Sequence, residues 1–186
     1  MITEQQYEQS AQEIGCKVAA IKAVSEVESS GGGFLPTGHP KILFEPHIFW
    51  KELRKLGITP IESDICYPVW GTKPYGKPSE QPARLEKASQ INREAALKSC
   101  SWGLFQICGF NYKLCGCETL QEFINKMYKS EDFHLQLFTQ YIKNSNLDDE
   151  LINLDWKGFA RGYNGPSYTK NQYDTKLQKA YNKYNV

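Results

Sequence analysis

No stretch of the 186-residue chain approaches the roughly 18 consecutive apolar residues that a membrane-spanning helix needs. The N-terminus, Met-Ile-Thr-Glu-Gln-Gln, has neither a basic start nor an apolar run, so no signal peptide or membrane anchor is expected and synthesis is placed in the cytoplasm. Long runs of one charge sign are missing too. With 22 Lys and Arg against 21 Asp and Glu, the formal charge is +1, which argues against nucleic acid as a partner. The six cysteines (16, 66, 100, 108, 115 and 117) include no paired C-x-x-C. The cluster from Cys100 to Cys117 therefore makes a poor zinc site, and no metal or other cofactor is expected. Without a secretory signal the even cysteine count is weak support for disulfides, so the thiols are expected to be reduced, Cys108 reading as a core residue. Internal repeats, low-complexity segments and linkers are also absent, which leaves one domain spanning residues 1–186.

What is present is an ordered, ring-rich composition: 40% hydrophobic and 13% aromatic residues, including 11 Tyr and four Trp. Amphipathic rings in that number suit stacking on sugars as well as core packing. Thr3 and Gln6 form a capping box that opens a first helix reaching about Gly15, and residues 16–29 read as a second. KILFE (41–45), short and bounded by Pro40 and Pro46, reads as a strand. Residues 48–56 look helical. Residues 66–82 hold Pro68, Pro74, Pro78 and Pro82 and read as an irregular loop displaying Tyr67, Trp70 and Tyr75, the kind of loop that forms a binding lip or an ordinary surface. Thereafter the pattern is helical over 85–99, 102–108, 120–128, 132–143, 148–153, 156–163 and 170–184. The fold class is predominantly α, an α+β helical domain with a small β-hairpin region.

One charge sits on the wrong side of its helix. At about 100° per residue, Ile21, Val24 and Glu28 fall on one stripe, so a carboxylate points where an apolar side chain belongs. Glu26 projects from roughly the opposite face. Ser29, Ser30 and three glycines then end the helix, leaving Glu28 beside a bend. Desolvation raises the pKa of such a carboxyl, and one still protonated near neutral pH serves as a general acid. The plain alternative is a Glu hydrogen-bonded into the core or exposed by fraying.

Three segments, VESSGGGF (27–34), SWGLFQI (101–107) and FARGYNGPSY (159–168), together resemble the lysozyme superfamily, whose lytic transglycosylase and goose-type branches are similar in the order and spacing of these motifs. With FEPHIF (44–49), the chain most resembles the N-acetylmuramidase family of phage endolysins, from about the second helix to the C-terminus. The resemblance implies a lysozyme-like fold with its β region beside a catalytic cleft, Glu28 in the place of the catalytic glutamate, and cleavage of the β-1,4 bond between N-acetylmuramic acid and N-acetylglucosamine. Glu45, ending the strand across the glycine bend, is the best second carboxylate, against a salt bridge or a cap for the next helix. His47 either orients Glu45 or a water, or is structural. Gln106, Tyr163 and Asn164 suit N-acetyl and hydroxyl contacts, Trp70 a stacking contact, and Ser101 a groove contact or a helix cap.

The implied partner is bacterial peptidoglycan, attacked by a monomer with no stable membrane association. Relatives often carry a separate cell-wall-binding module; none is expected here, which fits Gram-negative hosts. An enzyme made in the host cytoplasm and acting in the periplasm needs a membrane hole, hence a holin. Two alternatives stand beside hydrolysis: a lytic transglycosylase leaving 1,6-anhydro-muramic ends, and a non-catalytic peptidoglycan-binding protein.

Overall fold

Two helices open the chain in the computed structural model, which describes residues 1–29 and 31–185. They are α1 (Glu4–Ile14) and α2 (Val18–Ser29). The capping box forms as expected: Thr3 Oγ1 accepts from the Gln6 N–H at 3.3 Å, and the Gln6 side chain accepts from the Thr3 N–H at 2.7 Å. Gly15, at φ 86°, turns α1 back along α2. The inward stripe of α2 is Ala20, Ile21, Ala23 and Val24, all fully buried. The C-terminal helix α9 (Tyr173–Tyr184) lies along α2, and Glu26, on the outer side, receives hydrogen bonds from Lys183 and Tyr184.

A three-stranded antiparallel sheet has the order β1 (Ile42–Phe44), β2 (Cys100–Trp102), β3 (Ile107–Cys108). Leu43 stands opposite Ser101 and Ser101 opposite Cys108, while Phe44 pairs with Cys100 and Trp102 with Ile107. Alternation along each strand sorts the sheet into two faces. Ile42, Phe44, Cys100, Trp102 and Ile107 are buried in the core. Leu43, Ser101 and Cys108 form a row on the other face, and Glu45, two residues past Leu43, extends it.

Residues 102–108 were predicted helical and are instead the β2–β3 hairpin. Trp102, Leu104, Phe105 and Ile107 fit either periodicity, but Gly103 (φ 69°) and Gln106 (φ 49°) are left-handed residues of a tight turn, which an α-helix does not contain.

The other helices are α3 (Pro46–Lys55), α4 (Gln81–Lys98), α5 (Leu120–Lys129), α6 (Glu131–Asn144), α7 (Asp148–Ile152) and α8 (Trp156–Asn164). Helix α4 breaks at Asn92, whose side chain caps the second half by accepting from the Ala95 N–H at 2.9 Å. Helix α9 starts later than the predicted residue 170, because Gln172 at φ 52° separates it from a 3-10 turn, Tyr168–Asn171. Phe105, Phe123, Phe138 and Phe159 fill the core between the helices and the hairpin. Residues 66–82 are irregular apart from a 3-10 turn and the start of α4, but Tyr67 is buried rather than displayed. No helix among the described residues is long and apolar enough to cross a membrane.

Candidate active site

Helix α2 delivers Glu28 to its end and then stops. Gly31 (φ 97°) and Gly32 (φ 135°) adopt backbone conformations that L side chains rarely take, and they swing the chain towards β1. The bend is stitched on both sides. Gly33 accepts from the Lys41 N–H and Lys41 accepts from the Gly103 N–H, both at 2.8 Å, so the end of α2, the entry to β1 and the hairpin turn are tied together. Lys41 also donates to the Ser29 carbonyl at 3.0 Å, a cation at a helix C-terminus.

Glu28 is half-buried, and its Oε1 accepts from Asn164 Nδ2 at 2.9 Å. Burial pushes its pKa up to about 7, against the opposing pull of the Asn164 hydrogen bond and the Lys176 charge. A carboxyl poised there is protonated for part of the time at neutral pH and releases its proton readily.

Glu45 lies at the end of β1, immediately before Pro46. It occupies the N-cap position of α3, yet its side chain makes no capping bond. Its carboxylate faces inward: Oε1 accepts from Ser101 Oγ at 3.2 Å and lies 3.9 Å from the Cys108 thiol, and Oε2 accepts from Tyr75 Oη at 3.4 Å. Burial raises its pKa while the Ser101 and Tyr75 hydroxyls oppose the rise. His47 Nε2 is 3.9 Å from Glu45 Oε2, but burial pushes the imidazole down to about 4, so the contact joins a neutral ring to a carboxyl and is no ion pair at neutral pH. Tyr75 Oη also lies 3.4 Å from His47 Nδ1.

Ser101 is thus mid-strand and hydrogen-bonded to Glu45, which removes the helix-cap reading along with the helix. Gln106 shapes the hairpin turn, donating from Nε2 to the Gly103 carbonyl at 2.9 Å. Tyr163 stacks on Phe159 with centroids 5.2 Å apart, and its hydroxyl donates to the Phe105 carbonyl at 2.6 Å, so α8 is fastened to the hairpin. Trp70 is 50% exposed, with the Lys170 ammonium 5.2 Å from its ring centroid. Cys108, expected in the core, is half-buried with its thiol 3.4 Å from Ser101 Oγ, and burial pushes it up to about 12.

Several residues that the sequence did not single out complete the site. Tyr173, the first residue of α9, is half-buried, and its hydroxyl is pushed up by burial and, to a lesser degree, by the charges of Glu28 and Glu45. Gln81 is buried and clamps the loop to the sheet: its Oε1 accepts from the Phe44 N–H at 3.0 Å, while its Nε2 donates to the carbonyls of Tyr75 (2.7 Å) and Lys77 (3.1 Å). His134 is fully buried beneath the glycine bend. Its Nδ1 accepts from the Leu104 N–H at 3.1 Å, so Nε2 carries the proton and donates to the Met127 carbonyl at 2.7 Å. No neighbouring motif marks His134, whose partner Leu104 lies 30 positions away in the chain.

A desolvated carboxyl at a helix end, with a second buried carboxyl at the end of the neighbouring strand, is the residue chemistry that glycosidic cleavage uses. The profile of the Muramidase family, N-acetylmuramidase, matches residues 17–185. The chain belongs to the N-acetylmuramidase family. It is a glycoside hydrolase of the muramidase class, and peptidoglycan is the polymer it degrades. The crystal structure of the Burkholderia AP3 phage endolysin is similar, with a TM-score of 0.87 and 36% sequence identity over 99% of this chain and 70% of that one. No curated protein matches.

Proposed function

We propose that this muramidase is a phage endolysin that hydrolyses the β-1,4 bond between N-acetylmuramic acid and N-acetylglucosamine, with Glu28 as the general acid. The observation that carries the reading is the half-buried Glu28 carboxyl with a pKa near 7, hydrogen-bonded to Asn164. Glu28 protonates the leaving oxygen. Glu45, kept towards its charged form by Ser101 and Tyr75, faces the oxocarbenium-like centre or the attacking water. Asn164 and Tyr163 wall the sugar site on the Glu28 side, Gln106 and Ser101 on the hairpin side, and His47 holds the Tyr75–Glu45 pair in place. Trp70 offers a ring at the outer lip. The enzyme acts as a monomer and reaches the wall through a holin-made hole at the end of infection. Expressed alone behind an intact inner membrane, it leaves the wall uncut.

Mass spectrometry of purified Gram-negative peptidoglycan digested by the wild type and by Glu28→Gln tests the mechanism. Muramic acid ends reducible by borohydride are expected, with the Gln variant slower by about 10²- to 10⁴-fold. Anhydro-muramic ends overturn hydrolysis, and undiminished cleavage by the variant removes Glu28 from the chemistry.

A further inference from the structure

Helices α8 and α9 meet with Trp156, the first residue of α8, against Tyr181, near the end of α9, ring centroids 5.5 Å apart. An open groove of about 600 Å³ runs beside that contact, within the size range of small-molecule sites. Residues 154–157 form one wall, and Asp174, Thr175, Gln178, Lys179 and Asn182, along one side of α9, form the other. Trp156 is 5% exposed. Of the four buried polar side-chain atoms without a hydrogen-bond partner among the described residues, its Nε1 is the one that belongs to a residue of this groove. A buried indole N–H ordinarily finds an acceptor, because the hydration it gives up is otherwise not replaced. The fold supplies none here, so the matching acceptor comes from outside it.

The other lining groups narrow what brings that acceptor. Two carboxylates, Asp155 and Asp174, are matched by two ammonium groups, Lys157 and Lys179, so the groove has no net charge and selects neither a polyanion nor a polycation. Gln178 donates from Nε2 to Asn182 Oδ1 at 2.9 Å, which leaves Gln178 Oε1 as an acceptor and the Asn182 amide as a donor, in the same groove as the Thr175 hydroxyl. A neutral ligand dense in hydroxyls and carrying carbonyl oxygens fits this set. An N-acetylated glycan is such a ligand, and its acetamido oxygen is the acceptor an indole N–H takes. Thr175, Gln178, Lys179 and Asn182 are exposed, so their rotamers are free to change as a ligand seats.

We propose that the groove between α8 and α9 is a second glycan-binding site, in which Trp156 Nε1 donates to an acetamido carbonyl of the strand. The inference rests on the peptidoglycan reading above. Asn164, the partner of Glu28, ends the same helix, roughly 12 Å from Trp156 at about 1.5 Å per residue. A polymer strand is therefore held close to where it is cut, whereas a fragment that fills only the cleft gains nothing from the groove.

The test titrates peptide-free glycan strands into isotope-labelled Glu28→Gln protein and follows the indole N–H resonances of the four tryptophans by NMR. Trp156→Phe, which keeps a ring against Tyr181, identifies the resonance of Trp156. Expected is a saturable shift of that resonance. Thr175→Val, Gln178→Ala and Asn182→Ala should each weaken the binding it reports by about three- to tenfold and raise KM on intact sacculi by the same factor, with turnover of a tetrasaccharide unchanged. A Trp156 resonance that stays in place while that of Trp70 moves, or variants that lose activity equally on sacculi and tetrasaccharide, overturn the groove and leave the cleft reading intact. A wild type that cuts neither substrate overturns the peptidoglycan reading and the groove with it.

Discussion

Asn164 holds Glu28 by one end only: its Nδ2 donates to Oε1 at 2.9 Å, while its carbonyl oxygen is buried without a hydrogen-bond partner. Donation favours the carboxylate, so the amide restrains a pKa that burial alone would push higher. Replacing Asn164 with Leu removes that restraint. The alkaline limb of kcat/KM, expected near pH 7 in the wild type, should move to higher pH. Turnover should fall by about tenfold or more as the acid loses its orientation. A limb that stays in place or moves to lower pH excludes this role for Asn164.

Stability should carry the mark of Glu28 as well. Its pKa rises from 4.5 to about 7 in the folded protein, so the folded state binds more protons between those values. The stabilisation is fully present below about pH 4.5 and is lost as pH rises through 7. Glu28→Gln lacks the effect, so its advantage over the wild type should be larger at pH 8 than at pH 5. The carboxyl opens onto solvent, so we expect about 1 to 2 kcal/mol rather than the roughly 3 of a sealed group, or a few degrees in Tm. Thermal melts at the two pH values check it; an equal offset at both refutes the ionisation penalty.

Gln81 sets the loop that brings Tyr75 to Glu45. In Gln81→Leu the Phe44 N–H loses its side-chain acceptor inside the core, a loss worth about 1–3 kcal/mol. Activity should fall further than stability, since Tyr75 is released from Glu45. Gln81→Glu keeps an acceptor for Phe44 but no donor for the Tyr75 carbonyl, and should recover stability before activity. Denaturation curves beside turnover separate the two effects.

Gly33 has no room for a side chain. A Cβ there would come within 2.6 Å of His134 Nδ1, and one at Gly103 within 2.8 Å of the same atom, at a backbone φ of 69°. Alanine at either position should destabilise the protein by about 1–3 kcal/mol. Gly33→Ala should cost less in a His134→Ala background than in the wild type, and a double-mutant cycle measures the difference.

Glu28 was legible as a misplaced carboxyl because a charge on an apolar stripe violates a pattern that Ile21 and Val24 set over two turns. Helices with caps, such as the one opened by Thr3, were legible for the same local reason. The hairpin was not: Trp102, Leu104, Phe105 and Ile107 satisfy both periods, and only the backbone angles of Gly103 and Gln106 decide between them. Ser101 and Glu45 meet through strand register, a relation between segments 56 positions apart to which neither segment alone gives a clue. Tyr173 and Gln81 were silent because an aromatic at a helix start and a glutamine near a proline are each unremarkable until the chain brings them beside Glu28 and Phe44.

His134 touches the bend after α2, the hairpin turn and the end of α5 at once, through Gly33, Leu104 and Met127. The glycines of two separate sequence motifs are therefore shaped by one imidazole that belongs to neither. In any exchange of segments into or out of this chain, the piece that moves intact is this joint. A chimera that imports the acid-bearing bend or the hairpin without a matching residue at position 134 inherits the signature but not the seat on which it rests.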